Sequence, residues 1–153
     1  MSVQTVAGAV LSVSAGIPAT FTEAGYGALT LTAIGQITDA GQHGRVYNVV
    51  THNPIGSRGT QKFKGSFNEG QKVLTIGIDD DDAGQTLAIA ALNSDNDYSF
   101  EVAYQDGSLD YFQAKVVGFQ KSMTGVDTML TATLTLEITT SDTGVGIVHV
   151  AAV

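Results

Sequence analysis

Apolar and polar residues alternate most strictly from Leu130 to Ile138, LTATLTLEI, where Leu130, Ala132, Leu134, Leu136 and Ile138 fall on one side and Thr131, Thr133, Thr135 and Glu137 on the other. A period of two is the mark of a strand with one buried face. The same period carries Tyr98, Phe100, Val102 and Tyr104 against Ser99, Glu101 and Ala103. Asp106-Gly107 then offers residues that tolerate a positive φ before LDYFQAKVVGF, which predicts a hairpin. A second hairpin is predicted from GTQKFKGSF and QKVLTIGI, turning at Asn68 to Gly70, with Phe63 and Phe67 on one face and Leu74, Ile76 and Ile78 on another. Residues 2–13 and 28–38 read as further strands.

One segment breaks the period. In IDDDDAGQTLAIAALNSD, residues 78–95, Leu87, Ala90, Ala91 and Ser94 recur at helical spacing, and Asn93 to Asp97 ends the run with turn formers. The four acids Asp79, Asp80, Asp81 and Asp82 precede it. A calcium loop starting at Asp79 would need an oxygen ligand at its fifth position and a glutamate at its twelfth, where Ala83 and Ala90 stand instead. Acid–base work by paired carboxylates would need a second chemical partner and a pocket. A helix start needs neither, because an N-cap aspartate accepts orphan backbone N–H bonds and acids near the first turn oppose the positive end of the macrodipole. The reading is a short helix over about residues 82–93. Many antiparallel strands around one helix predict a mainly β fold, a sandwich or a barrel.

Two regions stand outside this pattern. Asp39 to Arg58, DAGQHGRVYNVVTHNPIGSR, reads as a connection of about twenty residues, longer than compact domains usually carry, and loops of that length are functional or disordered. The tail TTSDTGVGIVHVAAV ends apolar, with Val145, Ile147, Val148, Val150 and Val153 available for burial, so it is expected to pair with something.

Length and charge then narrow the function. With 153 residues the chain is one domain's worth. It has no cysteine, which removes disulfides, thiolate metal sites and a cysteine nucleophile and suits assembly in a reducing compartment. The N-terminus lacks a basic region followed by an apolar core, and no stretch approaches the ~20 apolar residues of a membrane span. A formal charge of −8 has the wrong sign for tight binding to a phosphate backbone.

Catalytic and cofactor motifs fail on inspection. Gly65 and Gly70 have the spacing of a P-loop, but Gln71 and Lys72 occupy the positions of its lysine and hydroxyl residue. His43, His52 and His149 are spaced as loop or surface histidines and not as zinc ligands. G-x-S-x-G is absent. No cofactor, metal or catalytic residue is expected. Arg58, Lys62 and Lys64 admit two readings, charges that protect a sheet edge or cations that meet the acids of a neighbouring copy.

Across THNPIGSRGTQKFKGSFNEGQKVLTIGIDDDDAGQTLAIAAL, DYSFEVAYQDGSLDYFQAKVVGFQ and TATLTLEITT, the sequence resembles the major tail tube proteins of long non-contractile-tailed (siphovirus-like) bacteriophages and related gene-transfer particles. The likeness runs from about Gly16 to Thr140. It lies in an ordered combination: asparagine-proline loop, basic strand, DDAGQ helix start, QDG hairpin.

The resemblance implies a β-sandwich or barrel-like subunit flanked by one helix. Such subunits form hexameric rings that stack into a hollow conduit for DNA. It implies a single tail-tube domain over 1–153, with an N-terminal arm or first strand at 1–16, a core at 17–138 and a C-terminal arm at 139–153. The long segment would bridge subunits or rings through Asp39, His43, Arg45, Tyr47, His52, Asn53, Pro54 and Arg58, and Glu101, Asp106 and Asp110 are candidates for acids facing the lumen. Implied partners are further copies of the chain, a tape-measure protein, a tail terminator and tail-tip proteins, without a membrane. The implied location is the virion tail, assembled in the bacterial host cytoplasm. Two classes compete with this reading, a β-sandwich binding or adhesion module that does not polymerise and a small enzyme.

Overall fold

The computed structural model describes residues 3–153. The chain is mainly antiparallel β. Strands β1 (Val10–Ser14), β2 (Thr32–Ile34), β3 (Ile37–Asp39), β6 (Gln71–Gly77), β7 (Tyr98–Ala103), β8 (Leu109–Ser122), β9 (Thr131–Thr139) and β10 (Val148–Val150) build one sheet in the order β2-β1-β7-β8-β9-β6-β3, with β10 on β8. Strands β4 (Val46–His52) and β5 (Gln61–Asn68) form a separate two-stranded ribbon.

The large sheet folds back on itself. Its two edge strands, β2 and β3, are consecutive in the chain and separated only by Gly35 and Gln36, the latter at φ 63°. The two halves face each other across a core of Val13, Leu74, Phe100, Phe112, Leu134 and Leu136, none of them exposed. The ladder stays open between β2 and β3, so the architecture is a sandwich and not a closed barrel. Strand β8 serves both halves. It pairs with β7 through Leu109–Ala114 and with β9 through Gln113–Ser122, with a register shift between Val116 and Gly118.

The acidic run locks the seam. Helix α2 (Ala83–Leu92) begins at its N-cap Asp82, whose Oδ2 accepts the Gln85 N–H at 2.9 Å and the Gly35 N–H at 3.1 Å. Buried Gln85 in turn donates to the carbonyls of Gly35 and Gly77, at 3.1 and 2.9 Å, joining the β2–β3 corner to the end of β6. Helix and sheet approach so closely that a Cβ on Gly84 would stand 2.1 Å from the Ala33 carbonyl oxygen. Replacing Asp82 with Ala removes a cap and a seam bond together, with an expected cost of about 1–2 kcal/mol. Calcium or EDTA should leave the melting temperature of the parent protein unchanged. A rise of several degrees with calcium would overturn the capping account.

Three expectations need correction. A second helix, α1 (Glu23–Gly27), is present, capped by Thr22 and anchored by buried Tyr26 stacked on Tyr111 at 5.2 Å. Five residues with two glycines carry no readable helical period. The Asp39–Arg58 segment is not a loop throughout, since β4 lies inside it. VYNVVTH lacks alternation because every one of its side chains is exposed. And β5 does not pair with β6: it pairs with β4, while β6 pairs with β9 and β3. Asn68 to Gly70 is a turn, with Asn68 Oδ1 accepting the Gly70 N–H at 2.8 Å. It is nonetheless a corner leaving the ribbon, held by Glu69, whose carboxylate is buried against Arg45.

The β7–β8 hairpin forms as expected, with Gly107 at φ 92° and Asp106 Oδ1 accepting from the Ser108 N–H and hydroxyl. On β9, Ala132, Leu134, Leu136 and Ile138 are buried in alternation. The apolar tail pairs through β10, Val148 to Val150 lying against Tyr111 to Leu109.

Candidate functional site

The ribbon β4–β5 is the least satisfied part of the molecule. Tyr47 pairs with Phe67, their rings 5.5 Å apart, and Val50 pairs with Phe63. Yet Val46, Val49, Val50 and Phe63 are more than half exposed, and Ile55 at the far turn is entirely so. A two-stranded ribbon is marginally stable alone in water, and its outer edges display unpaired N–H and C=O groups that a further strand can take up. Lys62 and Lys64 lie on the exposed β5, with Lys64 Nζ 4.8 Å from the Tyr47 ring centroid. Arg58, His52, Asn53 and Pro54 belong to the distal part, all exposed but half-buried Pro54.

The root of the ribbon is, by contrast, heavily fixed. Arg45 reaches Glu69 Oε1 with both Nε and Nη2, at 2.8 and 2.7 Å, and lays its guanidinium 3.8 Å from the Phe67 ring centroid. Asp39 Oδ1 accepts the Gly41 N–H at 2.8 Å and shapes the approach. A rigid base and an apolar, unpartnered blade are the geometry of a docking element.

Next to the root, four segments meet at one carboxylate. Asp110 Oδ2 bonds His43 Nε2 at 2.8 Å and accepts the Tyr104 hydroxyl at 2.6 Å, while Oδ1 bonds His149 Nδ1 at 2.7 Å. Lys72 Nζ stands 3.0 Å from His43 Nδ1. Burial pushes the Asp110 carboxyl up, but the hydrogen bonds from His43, Tyr104 and His149 outweigh it and hold the group well below the usual carboxylate range. Burial raises the Tyr104 hydroxyl and the Asp110 bond raises it further. Burial lowers the Lys72 ammonium. The histidines and Asp110 bond to one another instead of surrounding a common centre, and no group of three or more His, Asp or Glu poised to hold a metal ion occurs among the described residues. The sequence placed His43 and His149 as surface or loop histidines, and no spacing signal could have shown their convergence across the sheet.

The three candidate lumen acids separate. Asp110 lies on the β8 face shared with Phe112 and Ala114 and is only 8% exposed, so it is an internal tie and not a surface charge. Glu101 is half-buried on the opposite face of β7 from Phe100 and Val102. Asp106 is half-buried at the β7–β8 turn, where Ser108 foremost holds its carboxyl below the ordinary value.

The whole chain superposes on solved tail structures. It covers 95% of its own length and 77% of the other chain against a structure of the SPP1 tail tube, with a TM-score of 0.59 and 14% identity. The chain has the tail-tube fold. It is also similar to a chain of the anti-feeding prophage baseplate, with a TM-score of 0.69, 14% identity and coverage of 99% and 98% of the two chains. It also matches a chain from the sheath/tube terminator of an extracellular contractile injection system, at 0.66, 9% identity and 99% coverage of both. No protein-family model matches the sequence, and no curated protein sequence does. Contractile systems are among the matches, so the tail-tube fold does not assign the chain to non-contractile tails.

Proposed function

We propose that this chain is the repeating subunit of a phage or phage-like tail tube, forming hexameric rings that stack into a hollow conduit for DNA. The observation that carries the reading is the β4–β5 ribbon: apolar, open-edged and rigidly rooted on a subunit with the tail-tube fold. Joining it to the sheet of a neighbouring copy removes its exposed edges and apolar side chains at once. The role is structural, not enzymatic. Partners would be further copies of the chain, with tape-measure, terminator and tip proteins at the ends, in a virion tail assembled in the bacterial cytoplasm.

Negative-stain images of the purified protein test this directly. Rings or tubes are expected, and a monomer at high concentration would return the chain to the binding-module reading. Charge supplies a second test. A net charge of −8 repels DNA phosphate, so a genome can slide without adhering. Of the candidate acids, Glu101 and Asp106 remain for the lumen. Changing both to Lys repeats the reversal in every subunit of a ring, at distances only partly screened by a Debye length of ~8 Å. Particles should assemble yet transfer DNA at least about tenfold less efficiently, which counting particles against transfer events would measure. A normal transfer rate would show that these two positions do not set the lumen field.

A further inference from the structure

The two ends of the subunit are unlike. At one end, residues 123–130 join β8 to β9, and Met123, Val126 and Met129 stand in solvent at 85%, 101% and 81% exposure. The turn is tied. Thr128 Oγ1 donates to the Gly125 carbonyl at 2.8 Å, accepts the Gly125 N–H at 3.1 Å and meets the Thr124 hydroxyl at 2.8 Å. An ordered turn spares the backbone part of the ordering cost on docking. The Ile78 N–H donates to the Leu130 carbonyl at 3.2 Å, which puts Asp79 to Asp82 at the same end. The carboxylates of Asp80, Asp81 and the tip's own Asp127 have no hydrogen-bond or ion-pair partner among the described residues.

At the other end of β8, roughly 40 Å back along the strand at ~3.3 Å per residue, lies a cavity of ≈ 650 Å³ beside the ribbon root. Val6, Ala9, Val102 and Ile147 supply apolar wall. A smaller cavity of ≈ 360 Å³ adjoins it and shares Val6, Ala9, Val102 and Lys72. The carboxylates bordering the larger one are committed, Asp110 to His43, Tyr104 and His149, and Glu69 to Arg45. Lys72 is not. Its ammonium has three donors and one hydrogen-bond partner among the described residues, His43.

We infer that the β8–β9 tip of one copy seats in this cavity of the next copy, its apolar side chains against the wall and Asp127 toward Lys72. The inference rests on the tail-tube reading and names the surface by which successive rings meet. A contact between two different patches of the same molecule is heterologous and does not close on itself unless a rotation returns it to the start. A tip and a socket at opposite ends of the subunit therefore propagate along an axis. Asp79 to Asp82 and Asp127 lie at the tip end, and Arg45, Lys72 and the ribbon at the socket end, where Glu69 and Asp110 are taken up by contacts within the subunit.

Two variants test it. Val126→Asp with Met129→Ser alters exposed side chains outside the core, so its melting curve should match the parent, while electron microscopy should show rings and tubes at least tenfold shorter. Tubes of normal length from this variant overturn the inference. The chain has no cysteine, so Val126→Cys with Ala9→Cys reports the contact alone. Oxidised tubes should give a cross-linked ladder on denaturing gels that continues beyond the number of subunits in a ring. A ladder ending at that number assigns the tip to a lateral neighbour and overturns the inference, as does no ladder from intact tubes. A parent protein that forms neither rings nor tubes sinks the tail-tube reading, and this one with it.

Discussion

Replacing residues 48–65 with a short Gly-Ser turn should leave the large sheet folded and abolish polymerisation. The ribbon lies outside the core cluster, and its strands pair only with each other. Removing it therefore takes away little of what stabilises the subunit, and the melting temperature should move by no more than a few degrees, the scale of about 1 kcal/mol in a domain this size. Arg45, Glu69 and His43 stay in place, so the root keeps its ion pair and the Asp110 cluster its donors. What disappears is the blade proposed to carry Val49, Val50, Ile55 and Phe63 into a neighbour, each worth ~1.5–3 kcal/mol on full burial. In the proposed ring every subunit would repeat the loss, so pelletable tubes should fall by more than about a hundredfold. Tubes of normal yield from this variant would remove the ribbon from the assembly account.

The second large effect is expected inside the subunit. Asp110→Ala deprives Tyr104, His43 and His149 of a shared acceptor in a nearly buried site, and removes the carboxylate that faces Lys72 through His43. Removing the shared acceptor of a buried hydrogen-bonded cluster costs about 2–4 kcal/mol, equivalent to roughly 5–15 °C of melting temperature at this size. The same residue governs acid stability. Its folded pKa lies below the unfolded value of about 3.9, so its contribution is complete above that pH and is lost as pH falls from about 4 toward the folded value. Asp110→Asn should flatten that limb of the stability–pH curve. It should also loosen β10, which reaches the cluster through His149 and pairs with β8 beside Asp110, so amide exchange at residues 148–150 should accelerate. A melting temperature within about 2 °C of the parent for Asp110→Ala would show that the cluster contributes nothing net.

The sequence by itself determined the elements that bury one face. The alternation of β7 and β9, the Asp106-Gly107 hairpin and the helix after the aspartate run were all readable, because a half-buried strand must alternate and a helix start must satisfy its orphan N–H groups. The ordered motifs also carried the tail-tube likeness at a level of identity where structure superposes. Tertiary structure alone decided the partners of β5 and β6. Gln71 to Gly77 has the same local pattern whether its partner is β5 or β9, and only the long-range core and the Arg45–Glu69 pair choose between them. It decided that VYNVVTH is a strand, since a segment exposed on both faces leaves no period to read. It decided the parity of Asp110 as well. On β8 both faces are covered, by the core on one side and by Tyr26 of α1 against Tyr111 on the other, so a polar position no longer reports the solvent side and an acid there becomes a buried tie.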